Sequence, residues 1–572
     1  MKSSTSSVRD IYFTSWRYVR IGGFNLPDLS SAGSGMSWQC AIGQAYDDRG
    51  TATATQRTLQ DGQIPSDKVE ESIRYVCYAP HGIRLVAQKP TKIKFTDRLG
   101  LDPTGYPGPL TIHYDEGRYR CWYTVLPYIP PEARGKQGMP YGWHHYLSYA
   151  ESNDGFEWTK PKIGLVELDG SRDNNILMSP WVLDGRPRGL FGPSVFRDPQ
   201  GDPAERYKMA YFARFTDEEG AAYARKYQRD GDIMGFHGGY WGRREGGGIG
   251  IAGAVSPDGI QWRPLDEPML IYHSDIVVNP TFDPQRGRYI CYMRMWLMAE
   301  DSPECQGVVG RRTVGRTTST DFRQWETPEA VLSTSADMLP SILNYGPGHT
   351  WLPGCDNQQV MFVNRWLQED DTMDLTLYST PDGWTWSPVP GGEALVGPGQ
   401  IGTWDGGYVY GGSQLIELPG GRWALPYTGY PIGHKYPRID PAKRKLHPGV
   451  ATDRGYAIWP KGRLVALECA DEGSFATVGV QPAGSRLFLN ATVEPAGYIK
   501  VGLRRLTPDI NKMAGSVEIP GRTATDCDLI WGKDGLEIPV TWKGEVKLAA
   551  DDAPVVVTFQ LRRAKLFGLT FR

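Results

Sequence analysis

The sequence predicts an all-β protein: a five-bladed β-propeller followed by a C-terminal antiparallel β-sandwich. A short turn motif occurs four times, strand–turn–strand units precede its copies, and residues 484–572 alternate apolar and polar side chains. These observations divide the 572 residues into three expected regions. They are N-terminal lead-in strands packing on the propeller over 1–94, the propeller over 95–468 and the sandwich over 469–572.

The repeated motif has the pattern Ser/Thr-x-Asp-Gly/Phe-x-x-Trp, at 152–158, 256–262, 319–325 and 380–386. The Ser or Thr and Asp side chains of such a segment accept hydrogen bonds from nearby backbone amides and tighten a turn. Glycine permits a positive φ, and the tryptophan enters the next strand and packs between neighbouring sheets. We therefore interpret the four aspartates as structural.

Five units with the order strand, polar turn, strand, long loop, strand, motif turn, strand predict five four-stranded sheets. Their first two strands fall at 110–125, 194–212, 280–296, 352–366 and 413–430. The turns between first and second strands are short and the loops between second and third strands are long, so one face of the propeller is elaborated. We expect a cleft at the central axis of that face, unless the long loops only pack against the sandwich or a partner. One of these loops contains a segment, 217–230, that could form a short helix.

Charge and composition disfavour several classes of protein. The net charge is −3 and the sequence pI is about 6.3, so we expect no nucleic-acid partner and no attraction to an anionic membrane. No stretch of 18 apolar residues and no signal peptide is visible, which predicts a soluble cytoplasmic protein. A secreted chain trimmed of its signal would look the same. The sequence does not identify the oligomeric state, and a homo-oligomer is one of the alternatives.

No cofactor or metal site is predicted from motifs. The eight cysteines never lie within four residues of each other, which indicates buried free thiols rather than a zinc or redox site. Patterns for phosphate-binding loops, zinc hydrolases and nucleophile elbows do not occur. A structural Ca²⁺ at the axis remains an alternative, because inward-facing oxygens converge there.

The layout resembles the five-bladed glycoside hydrolase superfamily, which includes families 32, 68 and 43. The resemblance rests on the blade order, on turns such as SNDGFEWTKP, on GPSVFRDP at 192–199 and on the C-terminal sandwich as in family 32. Two stretches, 149–175 and 434–438, are similar to segments of bacterial relatives. The family 32 first-blade motif is absent, and LGLDPTG at 99–105 shares only its Asp-Pro and Gly. Asp198, in FRDP, lies in a short turn and is interpreted as structural.

The resemblance implies a glycosidase that uses paired carboxylates in the central pocket. We expect exo-action on a small oligosaccharide or glycoconjugate, with Asp275 or Asp102 as nucleophile or base and Glu304 or Asp337 as acid. Substrate would be bound by arginine, aromatic and polar side chains of the same face: Arg294, Arg316, Trp404, Asp405, His434, Arg438 and Tyr106. The basic segment 433–445 either binds a substrate carboxylate through Arg438 or is a solvated loop.

Two alternatives belong to other functional classes. One is a carbohydrate-binding propeller without catalysis, which would have a neutral, aromatic floor in place of facing acids. The other is a transglycosylase or lyase on the same fold. Two carboxyl groups about 5–10 Å apart at the axis would favour a hydrolase.

Overall fold

The computed structural model describes the strands of the propeller and most of the C-terminal region. The described residues are 8–20, 45–46, 52–53, 80–95, 110–125, 145–181, 188–227, 248–272, 274, 278–297, 311–332, 338–435, 452–506, 516–550 and 553–572. They fall into two compact units, one formed by 87–461 and the other by 1–86 together with 462–572.

The unit formed by 87–461 contains five antiparallel sheets, as predicted, and we number these blades I to V in chain order. Blade I comprises Leu110–Asp115, Arg118–Val125, Tyr146–Ser152 and Ile176–Met178. Blade II comprises Phe191–Arg197, Tyr207–Phe215, Gly248–Ser256 and Arg263–Pro264. Blade III comprises Asn279–Asp283, Arg288–Leu297, Arg311–Ser319 and Glu329–Leu332.

The first strand of each of the last two blades is split in two. Blade IV comprises Ile342–Gly346 with His349–Trp351, then Gln359–Leu367, Thr372–Ser379 and Ser387–Pro388. Blade V comprises Tyr408–Gly411 with Ile416–Leu418, then Arg422–Tyr430, Asp453–Pro460 and Thr91–Lys94. We call the end of the blades where first strands begin, second strands end and third strands begin the entry face.

The outermost strand of blade V comes from the N-terminal part of the chain. Thr91–Lys94 pairs antiparallel with Asp453–Pro460 in a four-residue register. This strand precedes 95, the predicted start of the propeller, because the chain uses an early strand to complete the last sheet. The pairing closes the ring without a fourth strand after Pro460 and leaves the third strand of blade V no exposed edge there.

Each pair of neighbouring blades shares an apolar core, and five such cores complete a ring. An aromatic contact marks each core: Trp122 with Tyr207, Phe196 with Tyr289, Tyr292 with Trp386, Tyr345 with Tyr410, and Tyr456 with Phe156. The aromatic-rich composition therefore serves mainly the packing of sheet against sheet.

The repeated motif forms the turn that was predicted. In its second copy the hydroxyl oxygen of Ser256 accepts from the backbone amides of Asp258 and Gly259, and the Asp258 carboxylate accepts from those of Ile260 and Gln261. The other copies repeat these bonds. Phe322 replaces the glycine in the third copy and adopts φ 67°.

The turns also connect blades. The indole of Trp122 in blade I donates to the Gly259 carbonyl of blade II at 2.7 Å, and the phenol of Tyr292 in blade III donates to the Gly383 carbonyl of blade IV at 2.8 Å. Tyr456 of blade V makes the corresponding 2.8 Å bond to Gly155 of blade I. The motif is therefore a structural device at the face opposite to the entry face.

The described helical structure lies between strands. The helix α1, Asp217–Tyr227, follows the second strand of blade II and confirms the short helix predicted at 217–230. Two 3₁₀ turns occur at Trp16–Tyr18 and Pro203–Glu205. No described helix has the length and apolarity that a membrane span requires.

Among its described residues, the other unit contains a seven-stranded antiparallel sheet. Its strands are Asp10–Tyr12, Arg84–Ala87, Val465–Ala476, Leu487–Leu506, Ser516–Glu518, Asp534–Pro539 and Val555–Phe571. Because the hydrogen bonds join all seven strands into one sheet, a C-terminal sandwich of two sheets is not confirmed. A separate two-stranded ladder joins Ala45–Tyr46 to Ala52–Thr53.

Cys121, Cys291, Cys469 and Cys527 are free thiols, as predicted. Cys121, Cys291, Cys469 and Cys527 are buried, and Cys355 is half-buried. Burial raises the pKa of the Cys121 and Cys291 thiols to about 12, which keeps them protonated and unreactive at neutral pH.

Candidate functional site

Hydroxyl and amide side chains from different blades meet at the hub of the propeller. Thr111 of blade I lies 2.9 Å from Ser413 of blade V, oxygen to oxygen. The Asn279 amide of blade III lies 3.4 Å from both the Ser194 hydroxyl of blade II and the Ser413 carbonyl. Asn279 reaches two blades that are not neighbours of each other, so these groups lie at the axis. They form a neutral floor across four blades.

Blade IV contains a fully buried asparagine. Asn344 lies on the first strand of blade IV and has no solvent exposure. Neither its amide nitrogen nor its amide oxygen has a hydrogen-bond partner among the described residues. A buried amide of this kind ordinarily binds an ordered water or a ligand group, because leaving it unpaired costs stability.

Carboxylates on the described first strands lie away from the floor and are paired. Asp115 ends the first strand of blade I and accepts from Arg206 and Tyr207. Asp283 ends that of blade III and pairs with Arg286 at 2.8 Å. The described first strands therefore supply no pair of facing acids at the hub.

The structure brings two of the predicted substrate-binding residues together through a third side chain. The Arg294 guanidinium donates from Nε to the Tyr345 carbonyl at 2.7 Å and lies 4.0 Å from the centroid of the Tyr345 ring. The Tyr345 hydroxyl lies 3.0 Å from Nε2 of His434. Residues from blades III, IV and V thus meet at the entry face.

Further cations and rings surround this contact. The Arg312 guanidinium lies 5.4 Å from the ring centroids of both Tyr345 and Trp366, and the Lys435 ammonium lies 5.4 Å from that of Trp366. The His434 ring packs edge-on against Trp366 at 5.3 Å. We call Arg294, Arg312, Tyr345, Trp366, His434 and Lys435 the basic–aromatic cluster.

Burial determines the electrostatics of the cluster. Arg294 is completely buried and its pKa is lowered to about 10, chiefly by loss of hydration; Tyr345 opposes this shift, and repulsion from Arg312 adds to it. Burial also lowers the pKa of Arg312, which is half-buried. Both side chains stay cationic at neutral pH, so two guanidinium groups lie in a partly buried environment.

A short turn of blade IV holds the histidine segment in place. Asp371 lies in the turn between the second and third strands of blade IV, with φ 54°. Its carbonyl accepts from the His434 amide at 3.0 Å, and its carboxylate accepts from the Lys435 amide at 2.8 and 3.0 Å. These bonds order the start of the long loop of blade V and aim His434 at Tyr345.

Trp404 and Asp405 lie against the body of blade V. The Asp405 carboxylate pairs with Lys92 at 2.6 Å and accepts from the Tyr427 hydroxyl at 3.0 Å. The Trp404 ring stacks on Tyr427 at 5.2 Å and covers Gly429, where an added Cβ would come within 2.6 Å of the ring. Their contacts join the second strand of the blade to its N-terminal fourth strand.

Arg316 is not brought to the entry face with Arg294. It lies on the third strand of blade III, opposite Tyr292 in the register. Its guanidinium stacks 3.7 Å from the ring centroid of Trp384, in the motif turn of blade IV. This contact is at the far end of the blades.

The remaining predicted site residues lie outside the described residues. These are the four predicted catalytic acids and two predicted substrate-binding residues: Asp102, Asp275, Asp337, Glu304, Arg438 and Tyr106. Their roles stay predictions. Among the described residues, no three metal-binding side chains come together.

Sequence reasoning missed three members of the cluster. Tyr345, Trp366 and Arg312 were not singled out from the sequence. Their signal was position: Trp366 lies near the end of a second strand and Arg312 near the beginning of a third, both at the entry face. An aromatic or cationic residue near the end of a second strand or the beginning of a third strand is therefore a candidate for the site.

The solved structures that are similar to this chain include glycoside hydrolases of the family 43 and family 32 types. No protein-family model and no curated protein matches the sequence. A thermostable family 43 glycoside hydrolase is similar at a TM-score of 0.40 and 13% identity, over 65% of this chain and 96% of the other. A family 32 β-fructofuranosidase from Bombyx mori is similar at a TM-score of 0.35 and 12% identity, over 89% of this chain and 99% of the other. An N-acetylgalactosamine deacetylase from F. plautii is similar at a TM-score of 0.38 and 14% identity, over 67% of this chain and 97% of the other.

Proposed function

We propose that the protein is a glycoside hydrolase that acts from the chain end on a small oligosaccharide or glycoconjugate. The observation that carries the proposal is the basic–aromatic cluster at the entry face, beside the polar side chains of the hub. Its half-buried members, Arg312 and Lys435, can donate hydrogen bonds to sugar oxygens.

The contacts across the hub support exo-action. Among the described residues, hydrogen bonds cross the axis between Thr111 and Ser413 and from Asn279 to Ser194 and Ser413. A site above such a floor is open at one end only, which suits the terminal unit of a chain better than a segment within it.

Catalysis would come from acids carried by the entry-face segments. We assign Asp275 or Asp102 as nucleophile or base and Glu304 or Asp337 as acid. Hydrolysis requires one carboxylate and one protonated carboxyl group on opposite sides of the scissile bond. The neutral floor is compatible with this arrangement, because it contributes no third charge between them.

The test is a screen of aryl glycosides and oligosaccharides with the wild type and Asp275→Asn. We expect turnover by the wild type and a loss of at least about 10³-fold in the variant, as for removal of a catalytic carboxylate. Asp258→Asn is the matched control, because Asp258 is held in a motif turn at the other face. Equal turnover by wild type and Asp275→Asn would remove Asp275 from the catalytic set, and no turnover of any glycoside would contradict the proposal.

A carbohydrate-binding propeller without catalysis is the second candidate. The neutral floor favours it, since the described axial groups are hydroxyls and amides rather than acids. It predicts saturable sugar binding by calorimetry together with no product, even at high protein concentration. Product formation that Asp275→Asn abolishes would exclude it.

A further inference from the structure

We propose that Asp371 is a positioning residue of the substrate site. It holds the start of the blade V loop so that His434 enters the basic–aromatic cluster and Lys435 is presented to the substrate. The inference rests on the proposed function and names a residue on which the same site depends. It follows from hydrogen bonds that cross from a turn of blade IV to a loop of blade V.

Asp371 binds two consecutive backbone amides of the neighbouring blade. Its carbonyl accepts from the His434 amide at 3.0 Å, and both oxygens of its carboxylate accept from the Lys435 amide, at 2.8 and 3.0 Å. A charged acceptor makes a stronger hydrogen bond to an amide than a neutral acceptor does. The turn therefore fixes the backbone on both sides of the His434 Cα atom.

The backbone of the turn is suited to this contact. Asp371 has φ 54°, in the left-handed region that glycine, asparagine and aspartate tolerate best. Gly433 lies so close that a Cβ atom at this position would come within 2.6 Å of the Asp371 carboxylate. The absence of a side chain at Gly433 thus leaves room for the carboxylate to reach the loop.

Blade V itself holds the residues that precede His434. The Gly407 amide donates to the Tyr430 carbonyl at 2.8 Å, and a Cβ atom on Gly407 would overlap the Ile432 backbone. The chain is therefore held by its own blade as far as Ile432 and by the turn of blade IV from His434 onward.

Three rings surround the imidazole that this path delivers. The His434 ring packs edge-on against Tyr345, Trp366 and Tyr408, with centroids 5.2 to 5.4 Å apart. Its Nε2 atom lies 3.0 Å from the Tyr345 hydroxyl. Because a hydrogen bond weakens steeply with distance and angle, a shift of the His434 backbone would break this bond.

Lys435 is the outer residue of the pair. Its ammonium lies 5.4 Å from the centroid of the Trp366 ring, and its side chain is half-buried, so it can donate to a sugar oxygen. The bond from its amide to the Asp371 carboxylate sets where this ammonium can reach. A misplacement of about 1 Å in a substrate-binding group can lower the rate on the order of 10²-fold.

NMR of protein labelled with ¹⁵N-histidine tests the placement of His434 without a substrate. His434→Gln identifies the His434 signals by their loss. We expect Tyr345→Phe to shift these signals in the wild type and to leave them unchanged in Asp371→Gly, which keeps the backbone conformation but removes the carboxylate. Asp371→Asn tolerates the same φ and keeps one acceptor, so it should retain the wild-type signals.

Kinetics with a glycoside from the screen test the role in the substrate site. We expect Asp371→Gly to lower kcat/KM about tenfold or more, and Asp371→Asn to stay within about threefold of the wild type. Asp370→Gly is the matched control, because Asp370 is exposed in the same turn, and it should also stay within about threefold. Thermal unfolding of each variant checks that the blades are intact.

The outcomes separate this inference from the proposed function. Unchanged His434 signals in Asp371→Gly, or an unchanged kcat/KM in that variant, would overturn the inference and leave glycoside hydrolysis by the wild type standing. If the wild type hydrolyses no glycoside, the proposed function fails by itself. Sugar affinity measured by calorimetry then replaces kcat/KM, and an affinity that Asp371→Gly does not weaken would overturn the inference.

Discussion

The Tyr289 hydroxyl donates a 2.6 Å hydrogen bond to the Asp198 carboxylate, which also pairs with Lys208 at 2.8 Å. Asp198 follows the first strand of blade II and Tyr289 lies near the start of the second strand of blade III, so the bond joins two blades. Tyr207 and Asp115 join blades I and II in the same way. The network supports a structural role for Asp198, whose side chain has no solvent exposure.

Tyr289→Phe should destabilise the protein by about 1–3 kcal/mol, because the variant leaves a buried carboxylate with one donor fewer. Urea denaturation measures the difference. Tyr114→Phe is the control: its side chain is 60% exposed, and we expect a change below about 0.5 kcal/mol. If the two variants unfold alike, the Tyr289 bond contributes nothing to inter-blade stability.

Asp405→Asn tests whether the residue binds substrate or joins strands. Because the change weakens the pair with Lys92, whose side chain is 28% exposed, we expect a loss of about 1–3 kcal/mol, less than for a fully buried pair. The kcat/KM for any glycoside found in the screen should stay within about threefold of the wild type. A large fall in kcat/KM at unchanged unfolding temperature would show that Asp405 acts in the site.

Asp258→Ala should lower stability by about 1–3 kcal/mol without affecting turnover. The carboxylate accepts from two backbone amides at 2.8 Å, and these bonds are lost together. Differential scanning calorimetry and the glycoside assay measure the two effects. Loss of turnover with an intact unfolding transition would mean that a motif aspartate has a catalytic role.

The lowered pKa of buried His349 predicts that the free energy of unfolding falls on mild acidification. Burial lowers its pKa from 6.5 to about 4, although the bond to Gln359 raises it in part, so the folded protein holds the ring neutral. The unfolded chain takes up the proton first; the stabilising contribution is therefore complete above pH 6.5 and is lost as the pH falls towards 4, by at most about 1.4 kcal/mol per pH unit.

Urea denaturation at pH 7, 6 and 5 checks this pH dependence. In His349→Gln the free energy of unfolding should fall less between pH 6.5 and 5 than in the wild type. The difference corresponds to the uptake of about one proton on unfolding. His113, whose pKa burial also lowers to about 4, keeps its contribution in the variant. An identical pH dependence in wild type and variant would mean that His349 is protonated equally in the folded and unfolded states.

The sequence by itself determined the local structure. Four copies of one turn, each followed by tryptophan, indicated the blades, and the short helix was predicted from 217–230. These features depend on neighbouring residues: side chains of Asp and Ser bond to amides two or three positions away, and strand faces follow a period of two. Arg294 and His434 were proposed for the site on the same basis, from their position beside long loops.

Only the tertiary structure decided how distant segments meet. Thr91–Lys94 completes blade V more than 350 residues before its partner strand. Arg294 and Arg316 flank one loop in the sequence, yet one contacts Tyr345 and the other Trp384, at opposite ends of the blades. Closure of a ring sets these contacts, because it fixes which sheet faces which and which end each side chain reaches; no local pattern contains that information.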